Sequence, residues 1–481
     1  MEQRTRHEEL SQNEEGGIRW ILQEAYALRG WKLLPYALQN LCYPHTVFFN
    51  EAQWQTILAC DGNDVFDLDT LSAEQKQLLR KLERGGYIRP CRQGESLNEN
   101  QRYRFYPSRF KERVLWAVTG RCNAKCRHCF MSAPHCQTEA DSETMIRVLD
   151  AFARCGIKGI SLTGGEPLVR KDFMDLVDKI HERGMIVEEI YTNGLLVNEG
   201  FLEGMKLRRM HSWIQFSFDG VGHHDWLRGV PGSEEQVLSA MRMCRERGIP
   251  TAASMVLFRE NRNSIRDTVN LLAECGCMGL KISKASAQGE WRNEKEHDLT
   301  IREVFETFLE YLPHYFEDGM PISLELEGMF RYDRHTGRVS SGFVHSGDEA
   351  RFERTLMCGH MRRNLYVGPD GRVLPCMSMS GLSGEEEFEN MLEIPLEAIL
   401  ESESRYMTFC NLRVSDFMKL HPECRTCHYR TQCLGGCRAI AAAEAGGDIL
   451  AKDTYACEFF FGGWKEKTDE FLGLKLPDSC R

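Results

Sequence analysis

No run of about 18 apolar residues occurs anywhere in the 481-residue chain, so nothing in it has the length to cross a bilayer as a helix. The N-terminus, Met1-Glu2-Gln3-Arg4-Thr5-Arg6-His7-Glu8-Glu9, is too charged for a secretory signal. Positive charge is not in excess either. The 60 basic and 71 acidic side chains leave a net charge of −11, which argues against a general nucleic-acid binder. These absences predict a cytoplasmic protein with neither membrane nor nucleic acid as a partner. In such a reducing compartment, 20 cysteines argue for metal sites over disulfides.

Three of them, Cys122, Cys126 and Cys129, stand at C-x3-C-x2-C directly after the apolar run Val114 to Val118. Three thiolates can hold three irons of a four-iron cubane and leave the fourth open. A zinc site is the other reading, with His135 or Cys136 as its fourth ligand. A helix-like stretch, Ser142 to Cys155, leads to the strand-like Gly159 to Thr163 and then to Gly164-Gly165-Glu166-Pro167. Glycines there would let the backbone approach a ligand. Exposed carbonyls and Glu166 would accept hydrogen bonds from a ligand ammonium.

This order, C-x3-C-x2-C followed by a strand and GGEP, resembles the radical S-adenosylmethionine (SAM) superfamily. The resemblance implies that Cys122, Cys126 and Cys129 carry a catalytic cluster whose open iron binds SAM, and that Gly164, Gly165, Glu166 and Pro167 hold its amino group. His128 stands where the family usually has an aromatic residue, and Phe130 follows. Both are cofactor-side candidates. One electron, from a low-potential donor such as flavodoxin or ferredoxin, would split SAM to a 5′-deoxyadenosyl radical that takes a hydrogen from substrate.

Strand-like segments Ile186–Tyr191, Trp213–Phe218, Thr251–Phe258 and Gly279–Ser283 alternate with helix-like ones such as Glu234–Arg247 and Ile265–Cys275. Such alternation predicts an α/β fold with a parallel sheet. The family fold is a partial (β/α)6 TIM-like barrel, and six strands are countable. Ligand groups then belong at strand C-terminal ends. Two of these ends, Tyr191-Thr192-Asn193-Gly194 and Ser217-Phe218-Asp219-Gly220 with His224-Asp225 and Arg228-Gly229, resemble the SPASM-containing subfamily. The resemblance places Ser217 and Arg228 near the SAM ribose and carboxylate, with Asn193 and Ser254 as further contacts. Asp219 reads equally well as a turn residue before Gly220.

A second cysteine field runs Cys358-x12-Gly371-x4-Cys376, Cys424-x2-Cys427-x5-Cys433-x3-Cys437 and Cys457. Two of its pairs could serve a zinc ribbon. The full seven-cysteine order resembles the Cys-rich SPASM domain, which holds two auxiliary [4Fe–4S] clusters. That implies Cys358, Cys376 and Cys437 for the first and Cys424, Cys427, Cys433 and Cys457 for the second, three clusters in all. Fully ligated relatives carry one more cysteine just ahead of the first, yet residues 350–357 contain none. Three thiolates would leave an iron open to a substrate cysteine. Cys410, Cys277 or His360 could instead close the site.

Toward the N-terminus, residues 1–16 are polar and expected to be loose. Strands are expected at Trp31–Tyr36, Ala37–Leu41 and Thr46–Asn50, and helices at Glu51–Ala59 and Ser72–Arg84. The second helix opens on a Ser72-x-x-Gln75 capping box, shows Leu78, Leu79 and Leu82 on one face, and ends at Gly85-Gly86. The order suggests a winged-helix-like unit. A structural cap and a DNA binder are the plainer uses, and the balanced charge of residues 17–91 disfavours DNA. Phe48-Phe49-Asn50, Ala59-Cys60-Asp61-Gly62 and Leu82-x-x-Gly85-Gly86-Tyr87-Ile88 resemble the recognition element of enzymes that modify ribosomally made peptides (RiPPs). There a leader peptide would add to the Thr46–Asn50 edge and meet the Ser72–Arg84 helix.

The domains expected are therefore a loose N-terminus (1–16), a recognition element (17–100), a radical SAM barrel (101–320), a linker (321–355) and a SPASM domain (356–481). The activity expected is cross-linking of a precursor peptide, with a thioether favoured over a carbon–carbon bond. Sulfatase maturation and epimerisation are alternatives. In the sulfatase maturases an aspartate follows the cysteine matching Cys376, where this chain has Met377. A non-catalytic iron–sulfur or zinc scaffold would have no use for Gly164 to Glu166.

Overall fold

The computed structural model describes residues 17–132, 135–341, 345, 354–401 and 403–475. The expected loose segment 1–16, and residues 342–344 and 346–353 of the expected linker, lie outside the described residues.

The N-terminal unit holds more strand than its sequence announces. Its strands are β1 (Ile18–Leu22), β2 (Tyr26–Lys32), β3 (Leu34–Asn40), β4 (Thr46–Phe48), β5 (Asp61–Phe66), β6 (Ile88–Cys91) and β7 (Arg104–Arg109). One sheet has the order β4-β3-β2-β7, the other β5-β1-β6. The expected break between Tyr36 and Ala37 is absent. The chain turns instead at Leu33, where φ is +68°, so that β2 and β3 form one antiparallel hairpin. The expected boundary at residue 100 also moves, because β7 pairs in parallel with β2. The second helix has its expected Ser72–Gln75 capping box, and the first has one that was not foreseen, between Asn50 and Gln53. Trp20, Leu28, Trp54, Leu79, Leu82 and Ile88 pack as a separate small core.

Six parallel strands follow, β8 (Arg113–Ala117), β9 (Gly159–Thr163), β10 (Ile186–Thr192), β11 (Trp213–Ser217), β12 (Thr251–Leu257) and β13 (Gly279–Lys284). Their residues alternate. One face is buried and apolar, as in Ile160, Leu162, Ile190, Ile214, Phe216, Met255 and Ile282, and packs under helices such as Ser142–Arg154. That helix offers Met145, Val148, Leu149 and Phe152 at helical spacing. The opposite face carries Glu189, Tyr191, Gln215, Ser254, Lys281 and Ser283, which line a cavity. The barrel is therefore an open trough with a polar interior.

The sheet extends beyond six strands on both sides. On one side come β14 (Ser323–Leu326), parallel to β13, then β15 (Phe330–Asp333) and β16 (Arg338–Ser340), both antiparallel. This corrects the expected linker: Leu324 and Leu326 are almost fully buried, and the alternation that buries them is a strand pattern. On the other side β17 (Asn364–Val367) pairs in parallel with β8 and carries β18 (Val373–Leu374). The result is an 11-stranded sheet. The remainder, to residue 475, is short helices, and one continuous core joins it to the barrel. No helix among the described residues is long and apolar enough to cross a membrane.

Candidate active site

The cysteine loop leaves the C-terminal end of β8 and is tied down first by backbone. Gly165 N donates to Thr119 O and Glu166 N to Arg121 O, each at 2.9 Å, while Lys125 N and Arg127 N donate to the carbonyls of Arg228 and Leu227 at 3.2 and 2.9 Å. A Cβ on Gly164 would stand 2.4 Å from Thr119 O, and one on Gly165 2.4 Å from Arg121 O. The two glycines admit the backbone of the cysteine loop itself, since any side chain would push that loop off the strand end.

Glu166 is likewise turned inward. It is fully buried, and its carboxylate accepts from Thr192 Oγ1 at 2.9 Å, Asn193 N at 2.7 Å and Leu168 N at 3.1 Å. Burial raises its pKa to about 7 against the pull of these donors. Most of its acceptor capacity is thus engaged by protein, so its observed role is to brace the end of β9 against that of β10. The brace positions Asn193, whose Nδ2 donates to Asn123 Oδ1 at 2.7 Å and lies 3.8 Å from Cys122 Sγ.

Asp219 is no simple turn residue. With no exposed surface, it holds Arg228 Nε at 2.6 Å, accepts from Val256 N at 2.9 Å and lies 3.5 Å from His224 Nδ1. Against the upward push of burial, Arg228 and His224 hold this carboxyl far below the ordinary range. Arg228 Nη1 in turn points at Cys126 Sγ, 3.7 Å away. Cys122, Cys126 and Cys129 are mutual electrostatic neighbours, and burial lifts the Cys122 thiol to about 12. Cys136 packs against Gly120 instead.

A cavity of about 790 Å³ occupies the trough. His128 and Phe130, the neighbours of Cys129, line one part, and Met377, Ser378, Ala439 and Tyr455 line another. His128 Nδ1 is buried without a partner, a vacant hydrogen-bonding atom beside the cysteine loop. Within the sheet Ser217, Ser254, Lys281 and Glu325 form one row of laterally paired residues. Ser254 Oγ accepts from Gln215 at 2.9 Å, and no described hydrogen bond occupies the Ser217 hydroxyl. Pro167 opens a short 3-10 turn behind Glu166. Sequence reasoning missed the charged members of this wall. Lys281 pairs with Glu325 at 3.2 Å. Burial would lower the Lys281 ammonium, but Glu325 and Glu327 outweigh it and raise its pKa. Glu327 accepts from Lys284 N at 3.2 Å and has no ion-pair partner among the described residues, so burial raises its pKa against Lys281. The available signal was polar residues alternating within apolar strands.

The seven C-terminal thiols fall into two groups. Cys424, Cys427, Cys433 and Cys457 line a second cavity of about 170 Å³. Cys376 instead interacts electrostatically with Cys358, and Cys437 with Cys376. What separates Cys433 from Cys437 is a reversal: Leu434, Gly435 and Gly436 all have positive φ, and Asp453 receives the Cys437 N–H at 2.6 Å. A Cβ on Gly436 would stand 2.4 Å from that carboxylate. No three His, Cys, Asp or Glu side chains among the described residues converge as one mononuclear ion needs. Thiols spread around a space fit a four-iron cluster, which takes one ligand per iron. No disulfide joins the described cysteines.

Two family models match the chain, the radical SAM superfamily over residues 116–272 and the SPASM iron–sulfur cluster-binding domain over residues 358–428. Curated relatives include the PqqA peptide cyclases of Granulibacter bethesdensis, 27% identical over 69% of this chain and 84% of its own, and of Gluconobacter oxydans, 28% identical over 69% and 87%. Among solved structures, Streptococcus suis SuiB bound to its precursor peptide SuiA is 16% identical with a TM-score of 0.62, covering 90% of this chain and 99% of that one. The protein anSMEcpe, solved with AdoMet and a peptide, is 17% identical with a TM-score of 0.56, covering 76% and 97%. The chain thus carries a radical SAM domain and a SPASM domain, on a fold shared with these solved structures.

Proposed function

We propose that the protein cross-links a ribosomally made precursor peptide in the cytoplasm, using SAM, three [4Fe–4S] clusters and a low-potential electron donor such as flavodoxin or ferredoxin. One observation carries this reading: a single cavity is lined both by neighbours of Cys129 and by neighbours of Cys376 and Cys437. A side chain placed there lies within reach of both ends of an oxidation. Relatives named as peptide cyclases, and a fold shared with a protein solved on its precursor peptide, support a peptide as substrate.

When bound, SAM and the cluster on Cys122, Cys126 and Cys129 supply the radical that takes a hydrogen from substrate. The chain does the positioning. Glu166 and Asn193 fix the Cys122 end of the loop, Asp219 and Arg228 fix the Cys126 end, and His128 Nδ1, Ser217 and Ser254 offer polar contacts to SAM. Glu327, a carboxylate with a raised pKa and no cation in ion-pair reach among the described residues, takes the proton released when the substrate bond closes. The leader adds to β4, an edge strand of its sheet. Leu78 is the residue of the Ala73–Arg84 helix left to meet it, because Leu82, expected in that role, is 3% exposed and belongs to the core. The bond formed, thioether or carbon–carbon, turns on whether the cluster on Cys358, Cys376 and Cys437 keeps an iron open to a substrate thiolate.

The test uses anaerobically reconstituted protein, SAM, dithionite and the peptide encoded by a short reading frame beside the gene. We expect 5′-deoxyadenosine and a peptide lighter by two hydrogen atoms. Phe48→Pro, which removes an outward-facing β4 donor while leaving the Leu38–Val47 pairing to β3 in place, should weaken peptide binding and spare peptide-independent SAM cleavage. SAM cleavage with peptide mass unchanged for every neighbouring reading frame would overturn the assignment.

A further inference from the structure

The two auxiliary thiol sets are unequal. A [4Fe–4S] cluster takes four ligands; the set around the smaller cavity has four thiols and the Cys358, Cys376, Cys437 set has three. The structure brings another thiol to the short set. Residues 355–357 pair antiparallel with 412–414, through Met357 N to Leu412 O and Val414 N to Thr355 O, both at 2.9 Å. This joins the segment that ends in Cys358 to the one that begins after Cys410. Cys410 closes the Arg405–Cys410 helix, is 2% exposed, and lies 3.8 Å from the carbonyl of Met361, three residues past Cys358. Cys358 is among the groups whose charge acts on it.

An independent feature points to negative charge at this place. Lys111 is 2% exposed. Its ammonium donates to Met361 O and lies 4.8 Å above the Tyr406 ring, yet no carboxylate among the described residues is within ion-pair distance. A buried ammonium without a counter-charge is costly. The one acidic group acting on it is Cys410, which becomes an anion only as a thiolate. The other two candidates fit less well. Cys277 donates to Gly279 O at 3.2 Å at the start of β13, the barrel end opposite the cysteine loop. His360 is exposed and its ring meets Asn364 at 3.1 Å.

We propose that Cys410, as a thiolate paired with the Lys111 ammonium, is the fourth protein ligand of the auxiliary cluster built on Cys358, Cys376 and Cys437. Ligation replaces an S–H bond with an S–Fe bond and releases one proton to solvent, with no change of oxidation state. The cluster then has no iron open to substrate, so it acts as an electron relay. The coordination route to a thioether loses its site, and a carbon–carbon bond becomes the favoured product.

The test needs no peptide. A Cys122→Ala, Cys126→Ala, Cys129→Ala background removes the first cluster, leaving the auxiliary pair to be read by EPR and Mössbauer spectroscopy, with 13C-cyanide as the probe for an open iron. With Cys410 intact we expect no 13C hyperfine coupling. Cys410→Ala should gain that coupling, Cys410→Ser should shift the g-values without gaining it, and Lys111→Met should lower the reduction potential of this cluster alone. Cyanide binding with Cys410 present, a measurement that depends on no Cys410 variant, would overturn the proposal; so would a Cys410→Ala spectrum identical to the parent's. Either result leaves the peptide-modifying reading standing.

Discussion

The mouth of the barrel and the C-terminal thiol region both present cysteines to iron, but they hold them differently. At the mouth the anchors are strand ends and the helix after one of them: Gly165 and Glu166 bind the loop from β9, Asn193 from β10, and Asp219 with Arg228 from β11 and the helix that follows it. Beyond β18, Cys424, Cys433 and Cys457 sit on helices of four to eight residues, too short to persist alone, with Cys427 and Cys437 in the connections between. They are joined by single side chains such as Arg438, which reaches the carbonyls of Ile449 and Ala451 at 3.0 and 2.7 Å, and Asp453. The first region is a folded scaffold to which a cluster is added; the second shares the barrel's core along its inner face, but its cysteine segments are expected to depend on iron for their order.

Iron removal gives that contrast its largest test. Metal binding to a site that the unfolded chain does not pre-form is folding free energy. Exhaustive chelation should therefore abolish amide-exchange protection over residues 405–475 and leave β8 to β13 protected. Simultaneous loss in both regions would mean that the barrel too depends on its clusters.

The barrel side can be broken without touching iron. Asp219→Ala leaves the buried Arg228 guanidinium uncompensated and should cost about 3–5 kcal/mol, read as a lower denaturation midpoint of the metal-free protein at unchanged slope. A cost under about 1 kcal/mol, the scale of an exposed pair, would show that Asp219 does not brace the loop. Asp219→Asn, which keeps the size and one acceptor, should fall between.

The same contrast decided what was legible in advance. The thiol spacings and the alternation of strand and helix are local patterns, and β8 to β13 lie within a residue or two of where the pattern puts them. The wall of Lys281, Glu325 and Glu327 was hidden because β14 resembles a linker until β13 is beside it; what makes it a strand is a partner remote in sequence. The partners of Glu166 were hidden for a related reason. A carboxylate after two glycines looks offered to a ligand, yet the donors that engage it come from Thr192 and Asn193, across the sheet. Cys410 carries no spacing signal at all, and only the pairing of 355–357 with 412–414 brings it near Cys358.

The smallest effect sharpens the comparison through pH. Glu166 has its pKa raised from 4.5 to about 7 and Asp453 from 3.8 to about 6, burial being the main cause of both. A carboxyl whose folded pKa exceeds its unfolded one binds its proton more tightly when folded. Its contribution to stability is complete below the unfolded value and is lost as pH rises through the folded one. The metal-free barrel should therefore lose stability between pH 4.5 and 7, by at most about 3.4 kcal/mol at 1.36 kcal/mol per unit. Glu166→Gln should flatten that slope, since an amide has no proton to lose, while Asp453→Asn should leave it intact, because Asp453 lies in the region that chelation has already unfolded. Equal flattening by both variants would mean that the C-terminal region keeps its structure without iron.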